Sequence, residues 1–94
     1  MTAQDSLRAT ARIVNRKGLH ARASAKFVET VAKFRAEITV TKGDASVSGR
    51  SIMGLMMLAA SLDTTIDLEA QGPEAKEALM ALLTLIAARF HEDE

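Results

Sequence analysis

The period of the apolar residues changes along this chain, and that change limits the folds open to it more than any other feature. Leu7, Ala9, Ala11 and Ile13 alternate with Arg8, Thr10 and Arg12, the period of two expected of a half-buried strand. From His20 to Arg35 the spacing becomes helical. Arg22, Lys26, Glu29 and Lys33 share one face, and Ala21, Ala25, Val28, Val31, Ala32 and Phe34 are expected on the buried one. No Gly or Pro interrupts that segment. Alternation returns at Ala36, Ile38 and Val40, turns at "KGD" (42–44) and continues through "ASVS" as a short third strand. Ser51 has the chemistry to cap a short helix over about 52–61 that is apolar nearly all round. Thr65, Asp67 and Glu69 then alternate with Ile66, Leu68 and Ala70. Gly72-Pro73 ends this fourth strand, and Glu74 opens a final helix whose stripe is Ala75, Leu79, Leu82, Ile86 and Phe90.

The order β-α-β-β-α-β-α predicts an α+β fold: an open-faced sandwich of a four-stranded antiparallel sheet with three helices on one face. One domain is expected over residues 1–94, with 1–6 and 91–94 as short tails. Its core should be aliphatic, because 48% of the chain is hydrophobic but only three residues are Phe and none is Trp or Tyr. The lack of strand aromatics also argues against single-stranded nucleic acid as a partner. Without cysteine there can be no disulfide or thiolate metal site, and the chain suits a reducing cytoplasm. No apolar run is long enough for a membrane span, and "MTAQDSLRAT" has no signal-peptide core. A net charge of zero hides a polarity. Residues 1–50 hold ten Lys/Arg against four Asp/Glu, and residues 51–94 hold two against eight, so the first half suits an anionic ligand or partner.

Within that basic half lies "KGLHARASAKFV", Lys17 to Val28. It places His20 at the N-terminal edge of the first helix, where backbone N–H groups such as those of Ala21 and Arg22 lack intrahelical partners. Those donors and the helix dipole favour phosphate. Two residues on, the Arg22 guanidinium has a fork that matches phosphate oxygens. A histidine there supplies a nucleophilic nitrogen at neutral pH. Phosphoryl transfer asks mainly for positioning and charge stabilisation, so these few groups suffice. The other histidine, His91, reads as a solvated residue near the end, and one accessible histidine cannot form a zinc site alone. There is no P-loop, no G-x-G-x-x-G and no catalytic triad. Neither metal nor cofactor is called for, and a histidine phosphorylated on an open surface suggests a carrier rather than an enzyme. In "SIMGLMML", Ile52, Met53, Met56 and Met57 are spread around a helix that two-layer packing cannot bury on every side. Methionine there either fills gaps in the core or offers an adaptable docking surface.

"GLHAR" (Gly18 to Arg22), followed by "RSIMGLMML" (Arg50 to Leu58), resembles the HPr family, the histidine-containing phosphocarriers of the bacterial phosphotransferase system. The resemblance covers nearly the whole chain, element order included. It implies that His20 accepts phosphate from phosphoenolpyruvate by way of enzyme I and gives it to an enzyme IIA-type protein. Arg22 would support the phosphate, and Ser51 would match the serine modified by HPr kinase/phosphorylase. Such carriers are expected to be cytoplasmic monomers. One departure stands out: Ala23 and Ser24 follow the arginine where a proline is common. Alanine is also a strong helix former, so the site should persist. The Ala-Ser version resembles alphaproteobacterial forms, in which the relay often feeds regulation. The competing reading is a ferredoxin-like ligand-binding regulatory domain without phosphotransfer, in which His20 is only a surface residue.

Overall fold

The computed structural model describes residues 6–92. Strand β1 (Leu7–Arg12), helix α1 (Ala21–Val31), strands β2 (Glu37–Lys42) and β3 (Ala45–Ser48), helix α2 (Ile52–Met57), strand β4 (Thr65–Gln71) and helix α3 (Ala75–Ala87) follow in the expected order. A 3₁₀ turn, Arg89–His91, closes the described chain. All strand pairings are antiparallel, in the order β1-β4-β2-β3. The period of two becomes rows across the sheet. Ala9, Leu68, Val40 and Val47 align on the helix side, while Thr10, Asp67, Thr41 and Ser46 align on the outer side. The outer face is open and polar. It is held by a Thr10–Asp67 hydrogen bond of 2.9 Å, a Thr41–Ser46 bond of 2.8 Å and an Arg8–Glu69 pair at 3.4 Å. Exposed pairs of this kind contribute little to stability. The burial of Ile13, Ile38, Val40, Ile66 and Leu68 beneath Phe27, Val31, Leu55, Leu82, Ile86 and Phe90 supplies the main favourable term.

Helix α1 departs from the expected stripe and stops earlier. Its buried residues are Ala23, Ser24, Phe27 and Val31, while Ala21 and Ala32 are exposed. The stripe rotates because Ser24 is polar yet faces inward. Its Oγ is satisfied by donating to the Leu19 carbonyl at 3.1 Å, which a pattern based on hydropathy alone cannot anticipate. The helix ends at Val31 because Lys33 and Phe34 donate to Thr30 and Val31 in tighter i→i+3 bonds. Helix α2 is likewise shorter than the expected 52–61, because Ala59 adopts φ +54° and halts it. The resulting turn aims the Ala60 carbonyl at the Leu19 N–H, 2.9 Å away. Helix α2 is also two-sided: Leu55 and Leu58 are buried, whereas Ile52, Met53, Met56 and Met57 are exposed, Met57 to 77%. Replacing Leu55 by Ala should therefore cost about 2–5 kcal/mol in urea denaturation. Met57→Ala should stay within about 0.5 kcal/mol of the parent protein.

Candidate functional site

Strand β1 runs into a turn with buried ends, Asn15 and Gly18, that sets the start of α1. Asn15, fully buried, donates from Nδ2 to the Gly18 carbonyl at 2.8 Å, and the Gly18 N–H returns to the Asn15 carbonyl at 3.2 Å. Gly18 sits at φ +64°, and a Cβ there would run into the Ala60 carbonyl oxygen and lie 2.9 Å from Ser61 Cα. Glycine is required at 18 both for conformation and for room. Leu19 is buried, and His20 follows as the N-cap of α1 with extended backbone and no side-chain cap. The imidazole consequently leaves the first-turn N–H groups, those of Ala21 and Arg22 included, to an external acceptor.

An open concavity of about 830 Å³ is bounded by Arg16, Lys17, His20, Ala21, Arg22, Lys26, His91 and Glu92. Arg22 is exposed, and its side chain makes no hydrogen bond or ion pair among the described residues. Its guanidinium is unpartnered beside the ring and the helix N-terminus. Lys26, one turn further on, is committed elsewhere, donating to the Phe90 carbonyl at 2.6 Å. His91 is exposed at the rim. Four basic side chains, the helix dipole and one carboxylate share this space, and the balance favours an anion.

The carboxylate is the part that sequence reasoning missed. Residues 91–94 read as a tail, but His91 completes the 3₁₀ turn and Glu92 packs against the site; residues 93 and 94 lie outside the described residues. Glu92 Oε2 contacts His20 Nε2, and Glu92 Oε1 accepts from Asn15 Nδ2 at 3.1 Å. Burial alone would raise the Glu92 carboxyl. Hydrogen bonds from His20 and Asn15, with the charges of His20 and Lys17, outweigh burial and hold it below the ordinary glutamate range. No apolar period marks Glu92. The only hint is an asparagine, Asn15, standing where a strand gives way to a turn.

The expected site residues thus fall into two groups. His20, Arg22 and the Ala21 and Arg22 N–H groups meet in the concavity. Ser51 caps α2, its Oγ accepting from Gly54 N–H at 2.9 Å, and Ile52, Met53, Met56 and Met57 extend from it along an exposed apolar face. Helices α1 and α2 pack together, so the face and the concavity belong to neighbouring parts of one surface.

The family model described as PTS HPr component phosphorylation site matches residues 7–88. The chain belongs to the HPr family. It is 51% identical over 88 residues to the phosphocarrier protein HPr of Neisseria meningitidis, covering 94% of this chain and 99% of that one. Among solved structures, HPr-C-His from Thermoanaerobacter tengcongensis superposes with a TM-score of 0.88 at 41% identity, covering 94% and 99% of the two chains. An HPr dimer from the same organism gives 0.74 at 43%, covering 89% and 97%. The open-faced sandwich is therefore the fold of HPr proteins, and the HPr relatives make this chain a phosphoryl carrier of the phosphotransferase system. They disfavour the reading as a ferredoxin-like ligand-binding domain. No helix among the described residues is long and apolar enough to cross a membrane.

The turn ahead of His20 can be tested directly. Gly18→Ala should lower stability by about 1–3 kcal/mol in urea denaturation, from a left-handed alanine and its clash with the Ala60 carbonyl. A stability equal to the parent protein would show that the 60–61 turn yields and does not fix the helix start.

Proposed function

We propose that this chain accepts a phosphoryl group on His20 from phosphoenolpyruvate by way of enzyme I and passes it to an enzyme IIA-type protein. The observation that carries this reading is an uncapped helix N-terminus presented with an unpartnered guanidinium and a half-exposed imidazole over one concavity. The ring attacks phosphorus, the bond to the donor breaks, and the phosphoryl oxygens are received by the first-turn N–H groups and Arg22. Both groups come from one chain, so the working species in this reading is the monomer, acting in the cytoplasm where phosphoenolpyruvate is found. Incubation with enzyme I and labelled phosphoenolpyruvate should give an acid-labile, base-stable label that is lost in His20→Ala. Arg22→Ala should slow labelling by about tenfold to a hundredfold. Lys33→Ala, in the turn that follows α1 and bearing an exposed cation away from the ring, should change it less than about twofold. Label persisting in His20→Ala would defeat the assignment.

The exposed apolar face of α2 serves in this reading as the docking surface for enzyme I and the acceptor, and Ser51 at its edge as the target of HPr kinase/phosphorylase. Serine at the cap contributes about 1 kcal/mol to the helix. A phosphoserine there would sit at the favourable end of the α2 dipole, so the fold should tolerate it, but it would place an anion on the rim of the docking face. Ser51→Asp and Met53→Asp should each melt near the parent temperature and accept phosphate from enzyme I about tenfold more slowly. Parent-like transfer in both would leave Ser51 as a cap and the methionines as bystanders.

A further inference from the structure

Phosphate-binding concavities are ordinarily cationic, so an ordered carboxylate inside one needs a reason. Glu92 is held there from three directions. Its Oε2 meets His20 Nε2, and its Oε1 accepts from the fully buried Asn15 at 3.1 Å. Its backbone is delivered by an unusual turn: Arg89, Phe90 and His91, none of them glycine, stand at φ +58°, +54° and +62° in succession. Left-handed backbone is costly for such residues and persists only where the surroundings over-determine it. Here the fully buried Phe90 ring anchors the turn, and Lys26 Nζ holds the Phe90 carbonyl at 2.6 Å. The strain brings the chain back from α3 and places one carboxylate on one nitrogen of one ring.

We propose that Glu92 is a positioning residue for phosphoryl transfer at His20, accepting the Nε2–H hydrogen bond so that the ring's lone pair resides on Nδ1. This rests on the assignment of His20 as the acceptor. The chemistry follows from the electron count. With its proton on Nε2, neutral imidazole attacks phosphorus through Nδ1. The Nδ1–P bond forms as the donor–P bond breaks, and that bond's electron pair leaves with the donor. Both ring nitrogens are then substituted and the ring is an imidazolium cation. Glu92 lies against that cation's N–H and neutralises the charge as it develops, the role a buried aspartate plays toward histidine in hydrolytic triads. On transfer onward, Nδ1 departs as neutral imidazole with the Nε2 proton still in place, a far better leaving group than imidazolate. A carboxylate that only repelled the incoming phosphate would be a defect; one paired with the charge created by transfer assists both directions. The ionised state favoured for Glu92 by its hydrogen bonds suits this role.

The experiment uses phosphoramidate, a small phosphoryl donor that needs no enzyme I, with the parent protein, Glu92→Gln, Glu92→Ala and His20→Ala. Phosphorylation is followed by ³¹P NMR, and the His20 ring of the unphosphorylated proteins by ¹⁵N-¹H NMR. The parent protein should show a His20 Nε2–H resonance protected from exchange, and phosphate on Nδ1. Glu92→Ala should lose that resonance and react about tenfold to a hundredfold more slowly. Glu92→Gln, whose amide oxygen still accepts a hydrogen bond but carries no charge, should fall between the two. Parent-like ring shifts and rates in Glu92→Ala, with no phosphate on His20→Ala, would overturn the role of Glu92 alone. Phosphate on His20→Ala at the parent rate would overturn the acceptor assignment itself, and this inference with it.

Discussion

The hydrogen bond from the Leu19 N–H to the Ala60 carbonyl, 2.9 Å long, joins the two helical crossovers of this fold. One crossover leaves β1 through the Asn15–Gly18 turn, and the other returns from α2 through the left-handed Ala59. Each turn uses backbone that is costly or demands glycine, and the Ala60 carbonyl and Ser61 Cα of the second fill the space beside Gly18 of the first. Where the two meet, the chain has one route into α1. The orientation of the first helical turn, and with it the point from which the His20 side chain leaves the backbone, is set by main-chain geometry, and the Glu92 carboxylate then meets the ring.

Electrostatics then act on that frame at short range. Arg16, Lys17, Arg22 and Lys26 surround the ring, but they are not equivalent. Lys26 is engaged with the Phe90 carbonyl and so belongs to the scaffold of the C-terminal turn, while Arg22 stands exposed with its fork unpartnered. Sequence alone places both on one polar helix face and cannot separate them, since the distinction depends on a carbonyl that lies 64 residues away.

The legibility of this chain follows the range of the forces involved. Strands and helices were readable because alternation and 3.6-residue spacing are local; β2 and β4 bury the residues that the period of two selects, and β1 does so at Ala11 while Leu7 at its start is exposed. The buried face of α1 was misread where a serine satisfies its hydroxyl on a local carbonyl and so enters the core at little cost. The length of α2 was overread because its stop is a single alanine forced into positive φ by tertiary contacts. The placement of His20 and Arg22 together at the start of α1 was legible since helix ends follow local signals. Asn15 and Glu92 were not, because their partnership spans 77 positions and neither belongs to a periodic pattern.

The left-handed turn after α3 also divides the molecule dynamically. Native proteins open in parts, and the parts that open first are those with strained backbone and few paired neighbours. In this fold the sheet and α3 carry paired backbone along their lengths, whereas residues 89–91 hold their shape by one buried ring, one lysine and two short main-chain bonds. Opening that turn would free the imidazole from its carboxylate while every strand stayed paired. The surroundings of His20 are therefore governed by a local equilibrium that global unfolding does not report. A protein with an unchanged melting curve can hold its histidine ordered or released, and amide exchange at residues 89–92 is the measurement that tells the two apart.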